Sequence, residues 1–261
     1  MSRRRLGQHF LTDIETIRRI VDSAELEPQD RVFEIGPGKG AITLPMVERG
    51  VPVTSLEFDD DLAEALTVDA PEGLHVIKGD ALVADFREFV GEGDWSNSVL
   101  VANLPYRITG ALLQRILEAG CWSRAVLMVQ REVALRLAAE VGTKDYSILT
   151  VAANLRSSVE YLFSVPAGCF DPPPKVVSAV VRFRFRDDRI TVQDEKLFFR
   201  VVRAAFQQRR KMLRNSLSTI LEGHVEAVLE SAEIDPSLRP ESVSVDGFER
   251  ICRSFDAMAA S

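Results

Sequence analysis

An α/β fold, with a parallel, doubly wound sheet followed by a small helical domain, is predicted for this chain of 261 residues by three observations. Short apolar runs alternate with segments of helical periodicity from about residue 31 to residue 140. A Gly-Pro-Gly-Lys-Gly loop, residues 36–40, follows the first of those runs. Beyond about residue 190 the strand signal ends while helical periodicity persists. Strand–helix alternation forces crossover connections, and crossovers leave neighbouring strands parallel.

The strand candidates are Arg31–Ile35, Val51–Leu56, Leu74–Lys78, Val99–Ala102 and Ala125–Val129. Between them Asp60–Leu66 and Thr109–Glu118 read as helices, the second with Thr109 as a residue able to cap its first turn. Ahead of the sheet, Asp13–Ala24 sets Ile14, Ile17, Ile20 and Val21 on one face, as a lid or flanking helix does. After it, Val180–Arg186 alternates apolar residues with arginines, a half-buried antiparallel strand near the sheet edge. Lys196–Phe206, Met212–Leu221, Val225–Ala232 and Val245–Met258 are short helices jointed at Gly223, Pro236 and Pro240. The domain boundary is set at 188/189, with 1–188 carrying the sheet and 189–261 the helices.

Composition narrows the function classes. A hydrophobic share of 46% with 27% charged residues suits a globular protein and excludes a disordered or collagen-like chain. The net charge of −7 means that a nucleic-acid ligand must be held by local basic patches rather than the overall field. Cys121, Cys169 and Cys252 are too far apart, and His9, His75 and His224 too scattered, for ligand spacing, so neither a disulfide nor a metal site is expected. The Met-Ser-Arg-Arg-Arg start and the lack of an apolar run near 20 residues point to a cytoplasmic protein without a membrane span.

The candidate chemistry clusters at the ends of the predicted strands. In Gly36–Gly40 the glycines let the backbone turn sharply and let a ligand approach main-chain N–H groups. Gly36, Gly38 and Ala41 also satisfy a loose dinucleotide pattern, with Glu57 in place to bond a ribose diol, so the loop alone suits NAD or S-adenosylmethionine equally. Asp80, in Gly79-Asp80-Ala81, adds a carboxylate able to accept from an adenine amino group. Glu57 or Asp80 taken singly is an ordinary strand-end or turn acid; three such strand ends together are not.

Asn103-Leu104-Pro105-Tyr106 discriminates best. A base's exocyclic amine is a poor nucleophile because its lone pair is delocalised into the ring. Acceptors on its two N–H bonds, the Asn103 amide oxygen and the Leu104 carbonyl, favour a pyramidal nitrogen able to attack a methyl group. Pro105 stiffens the turn and Tyr106 offers a stacking face to an extruded base. Taken alone, the tetrapeptide also fits an Asn-x-Pro turn with a packing Tyr, but hydride transfer has no use for this set.

Seven blocks then carry a resemblance. Residues 6–11 (Leu-Gly-Gln-His-Phe-Leu), 34–38 (Glu-Ile-Gly-Pro-Gly), 79–82 (Gly-Asp-Ala-Leu), 103–106, 128–133 (Met-Val-Gln-Arg-Glu-Val), 170–179 and 205–211 resemble, in order, the motifs of the KsgA-type ribosomal RNA adenine dimethyltransferases. The resemblance implies a Rossmann-like S-adenosylmethionine-dependent methyltransferase sheet with a C-terminal helical domain. It implies dimethylation of two neighbouring adenines near the 3′ end of small-subunit rRNA, within an immature 30S-type particle, by a monomer. By position, Gln8, His9, Leu11, Gly36, Gly38, Glu57, Asp80, Ala81 and Asn103 would line the cofactor site. Asn is frequent in the family where this chain has His9. Phe170 would face Tyr106 across the target base; as a bare sequence feature it is equally a core Phe beside a loop.

RNA contact needs positive charge. Arg200, Arg203, Arg209, Arg210, Lys211 and Arg214 share a stretch without an acid, and Arg3, Arg4 and Arg5 form a second cluster. Two alternatives to the enzyme remain: a ribosome-assembly factor whose methylation is secondary, and a nicotinamide-dependent oxidoreductase built on the glycine loop.

Overall fold

The computed structural model of the chain describes residues 8–90, 95–185, 190–221 and 223–259. The chain divides into two units, one running to Ala134 and resuming at Ser158, the other comprising Leu135–Ser157 and the C-terminal helices. The sequence boundary at 188/189 misses the 135–157 insertion. Its apolar residues Tyr146, Val151 and Leu155 are buried with Phe198, Val201 and Phe248 of the helical core, which spacing along the chain does not reveal.

The first unit begins with β1 (Phe10–Leu11) and α1 (Ile14–Ser23), capped by Asp13, whose carboxylate accepts from the Thr16 N–H at 2.8 Å. There follow β2 (Arg31–Ile35), α2 (Thr43–Val47), β3 (Val53–Glu57), α3 (Asp60–Val68), β4 (Leu74–Lys78), α4 (Arg87–Val90), β5 (Ser98–Asn103), α5 (Thr109–Ala119), β6 (Arg124–Gln130) and α6 (Arg131–Leu137), whose last three residues belong to the other unit. After α7 (Ile148–Asn154) of the other unit, β7 (Ser157–Val165), β8 (Phe170–Asp171) and β9 (Ser178–Phe185) complete the strands. The main sheet has the order β4-β3-β2-β5-β6-β9-β7, parallel through β6 and antiparallel between β6 and β9; β1 and β8 pair apart from it.

All five predicted strands of the parallel part are present; the four inner ones bury their apolar runs, while β4 at the edge is only partly covered. Val99, Leu100 and Val101 of β5 and Val126 and Leu127 of β6 are inaccessible to solvent. Val51–Leu56 shifts to Val53–Glu57, so Glu57 itself closes β3. The arginine-bearing strand is antiparallel and next to the sheet edge, as expected; the edge itself is β7, which the irregular Ser-Ser-Val-Glu pattern concealed. Arg182 is therefore mostly buried, paired with Glu25 and Glu160. Thr109 does not cap α5. Ile108 holds that position, and the Thr109 hydroxyl donates to the Pro105 carbonyl at 3.0 Å.

The helical unit holds α7 with α8 (Glu195–Gln207), α9 (Leu213–Ser216), α10 (Val225–Ser231) and α11 (Val245–Ala259). α8 opens where the Asp194 carboxylate accepts from Leu197 N–H at 3.0 Å. The predicted helix Met212–Leu221 is one turn long; past Ser216 the chain breaks into turns through Ser218 and Thr219. Among the described residues, no helix is long and apolar enough to cross a membrane.

Candidate active site

The strand order sets the site. Connections from β2 run to β3 on one side, while β5 flanks it on the other, so a crevice opens at the carboxyl ends of β2 and β5, where open α/β sheets bind ligands. In register Ile35 lies opposite both Leu56 and Ala102. The next residues along these three strands are Gly36, Glu57 and Asn103, all at one edge.

Gly36 and Gly38 adopt φ of +71° and +58°, the left-handed region that residues with a Cβ avoid. Nothing lies within 4 Å of where a Cβ on Gly36 would sit, whereas one on Gly38 would stand 3.3 Å from the Phe10 ring. The loop does not run straight into a helix; turns intervene and α2 begins only at Thr43. The Gly38 N–H is instead donated to Glu57 Oε2 at 2.9 Å, and Asp59 N–H to Glu57 Oε1 at 2.8 Å. Each carboxylate oxygen keeps a second lone pair, so a buried Glu57 tied to the loop still has acceptor capacity for a diol. Asp80, half-buried after β4, accepts the Leu82 N–H at 2.8 Å, and Ala81 sits beside it nearly buried. The Arg115 guanidinium on α5 donates to the carbonyls of Ala81 and Ala84 and so braces that turn.

The tetrapeptide extends from β5. Asn103 is half-buried opposite Met128, and Leu104 N–H donates to the Met128 carbonyl at 3.0 Å. The Leu104 side chain is buried in the core, so its share in any chemistry is its main chain. Pro105 accepts from Ile108 N–H at 3.1 Å, closing the turn that aims Tyr106. Tyr106 has its hydroxyl hydrogen-bonded to Ser178 Oγ on β9, and burial pushes that phenol above its ordinary value.

Three placements differ from expectation or add to it. His9 stands against Tyr106, ring centroids 6.0 Å apart, with Nδ1 donating to the Pro172 carbonyl at 2.7 Å. Half-buried Gln8 precedes it, and Leu11 pairs with Phe170 across β1 and β8. Phe170 is 4% exposed and shares a core cluster with Leu11, Ile20 and Ile42. Glu34, which spacing left without a role, lies fully buried below the loop, accepting from Thr43 Oγ1 at 2.7 Å and Ser55 Oγ at 2.8 Å. Burial pushes its carboxyl up to about 7, against the pull of those two hydroxyls. An acid inside an otherwise apolar strand was the available signal for Glu34. Ser178 gave one only as part of the 170–179 block.

On the helical unit, Arg203, Arg210, Lys211 and Arg214 are exposed. Arg209 is engaged: its guanidinium donates to the Lys144 carbonyl and sits 3.7 Å from Glu241. The Arg3–Arg5 cluster lies outside the described residues.

The family model described as ribosomal RNA adenine dimethylase matches residues 1–257. This chain belongs to the ribosomal RNA adenine dimethylase family. Relatives of the dimethylase agree along its length. A "Ribosomal RNA small subunit methyltransferase A" of Pelotomaculum thermopropionicum is 44% identical over 97% of the chain and 91% of its own length. One of that name from Xanthomonas campestris pv. campestris is 43% identical over 96% and 95%. Among solved structures, the 23S rRNA methyltransferase ErmE is 29% identical with a TM-score of 0.70, covering 95% of this chain and 99% of its own. A dimethyladenosine transferase from Plasmodium falciparum shares the fold at a TM-score of 0.80 and 23% identity, over 96% and 98%. The chain is thus an adenine dimethylase, and the nicotinamide reading falls.

Proposed function

We propose that the dimethylase uses S-adenosylmethionine to convert two adjacent adenines near the 3′ end of small-subunit rRNA to dimethyladenosines, acting as a cytoplasmic monomer on an immature 30S-type particle. The observation that carries this is the place of Asn103-Leu104-Pro105-Tyr106 at the end of β5, next to the glycine loop across the sheet's switch point. The name borne by the sequence relatives favours the small subunit over the large-subunit RNA named for ErmE.

The residues present fit the methyl donor. Gly36 offers open space where a side chain would intrude, Glu57 has lone pairs for the ribose, and Asp80 has acceptor capacity for the adenine amine. Leu11 and Ala81 would border it, with His9 and Gln8 nearby. When bound, S-adenosylmethionine supplies a methyl group already activated by its sulfonium. The chain's own work falls on the nucleophile. The Asn103 amide oxygen and the Leu104 carbonyl would accept from the two N–H bonds of the target amine, drawing its lone pair out of conjugation. Tyr106 would stack on the extruded base, and the proton of the methylated amine leaves to water. Phe170, paired with Leu11 across β1 and β8, would border the base from the core side of the site. Arg203, Arg210, Lys211 and Arg214 would neutralise phosphates, with Arg209 supporting them from within the fold.

Incubation with labelled methyl donor and unmethylated small subunits, followed by mapping of the labelled nucleotides, tests the reading. Label on two adjacent adenines is expected. Asn103→Ala should cut transfer by about 10²–10³-fold while donor affinity largely persists. Near-normal turnover in that variant would refute the role of Asn103.

A further inference from the structure

We propose that His9 is a positioning residue of the base platform: it backs one face of the Tyr106 ring and leaves the opposite face for the nucleobase. This rests on the dimethylase reading and gives His9 a task other than lining the methyl-donor site.

The planes of the two rings are inclined by 26° at a centroid distance of 6.0 Å, an offset stack of the attractive kind. A carbonyl only accepts, so the 2.7 Å contact with Pro172 places the imidazole proton on Nδ1. That bond fastens the ring to the loop after β8. At its other end Tyr106 is tied through its hydroxyl to Ser178, which is itself buried on β9. The phenol is thus held on a face and at its tip by groups from two separate stretches of chain. A platform ordered beforehand avoids the entropy cost of immobilising a side chain when the base arrives.

His9 also stands apart from its neighbour. Phe10 packs where a Gly38 Cβ would come, 3.3 Å away, with Lys39 Nζ 4.6 Å over its ring. Adjacent residues therefore touch different subsites, Phe10 the glycine loop and His9 the base platform, as the alternation of side chains along an extended segment allows.

Three variants separate the roles. His9→Ala loses both stack and hydrogen bond, His9→Phe keeps a ring without the Nδ1 donor, and Ser178→Ala releases the hydroxyl end. With unmethylated small subunits as substrate, His9→Ala should raise KM for RNA about two- to tenfold, the range expected for one aromatic pair. The affinity for S-adenosylmethionine, titrated calorimetrically, should stay within about twofold. His9→Phe should recover most of the loss, and Ser178→Ala should move KM in the same direction as His9→Ala. Donor affinity falling in step with turnover in His9→Ala would overturn the proposal, as would a His9→Phe variant no better than His9→Ala, or no change in any constant. A wild-type protein that transfers no methyl group to adenine fails the underlying reading, whatever His9 does.

Discussion

Replacing Glu34 by Gln isolates a buried carboxyl in the sheet. Gln retains an oxygen for the Thr43 and Ser55 hydroxyls, at 2.7 and 2.8 Å, and puts an amide NH2 that does not ionise in place of the other oxygen. The cost of that NH2 is the same at every pH, so only the ionisation shapes the pH dependence. Desolvation lifts the folded-state value from the ordinary 4.5 to about 7. At roughly 1.4 kcal/mol per pH unit, that difference is worth about 3 kcal/mol. The sign follows from proton counting. Between those two values the folded state holds the proton more tightly than the unfolded chain, so the contribution is fully present below 4.5 and is lost as pH rises through about 7. Other acids run the other way: Asp13, Glu25 and Asp235 have lowered values, and their stabilisation is lost as pH falls. The wild-type curve mixes these, so the difference between wild type and Glu34→Gln is the quantity to measure. Urea unfolding followed by tryptophan fluorescence suits it, because Trp95 and Trp122 both belong to the sheet-bearing unit. Between pH 5 and pH 8 the variant should gain about 2–3 kcal/mol relative to wild type. A difference independent of pH would refute the burial argument.

Gly38→Ala should destabilise the protein by about 1–2 kcal/mol, from the left-handed backbone and the crowding of Phe10, and should weaken S-adenosylmethionine binding about tenfold or more; thermal melting and calorimetry measure the two. Arg210→Glu should weaken binding to small-subunit RNA and flatten its salt dependence without lowering the melting temperature, whereas Arg209→Glu should lower the melting temperature as well, because Arg209 holds Lys144 and Glu241. Cys121 and Cys252 are buried, with thiols pushed up to about 12, so a native protein treated with a thiol reagent should label rapidly at Cys169 alone, and at all three cysteines once unfolded.

Much of the parallel sheet was legible because its strands are hidden on both faces: uninterrupted apolar runs such as Val99–Ala102 have no other stable place. The candidate site was legible for a related reason. Residues at the carboxyl ends of the strands break the apolar runs with polar and glycine signals, as at Gly36, Glu57, Asp80 and Asn103. The edge strand β7 was not legible, because a half-solvated edge tolerates mixed sequence such as Ser-Ser-Val-Glu. Nor was the membership of residues 135–157 in the helical unit, since burial against Phe198 and Phe248 is a long-range fact.

From the order of its residues alone, this protein is an α/β enzyme with methyl-transfer motifs at its strand ends, because local periodicity and turn chemistry are written in neighbours. Folding in three dimensions decided the rest. It placed His9 on Tyr106 across more than ninety positions of chain, shut Phe170 into the core, engaged Arg209 internally, and left Glu34 buried with a carboxyl near neutrality. Such pairings depend on which distant surfaces exclude water together, and no stretch of sequence holds that information by itself.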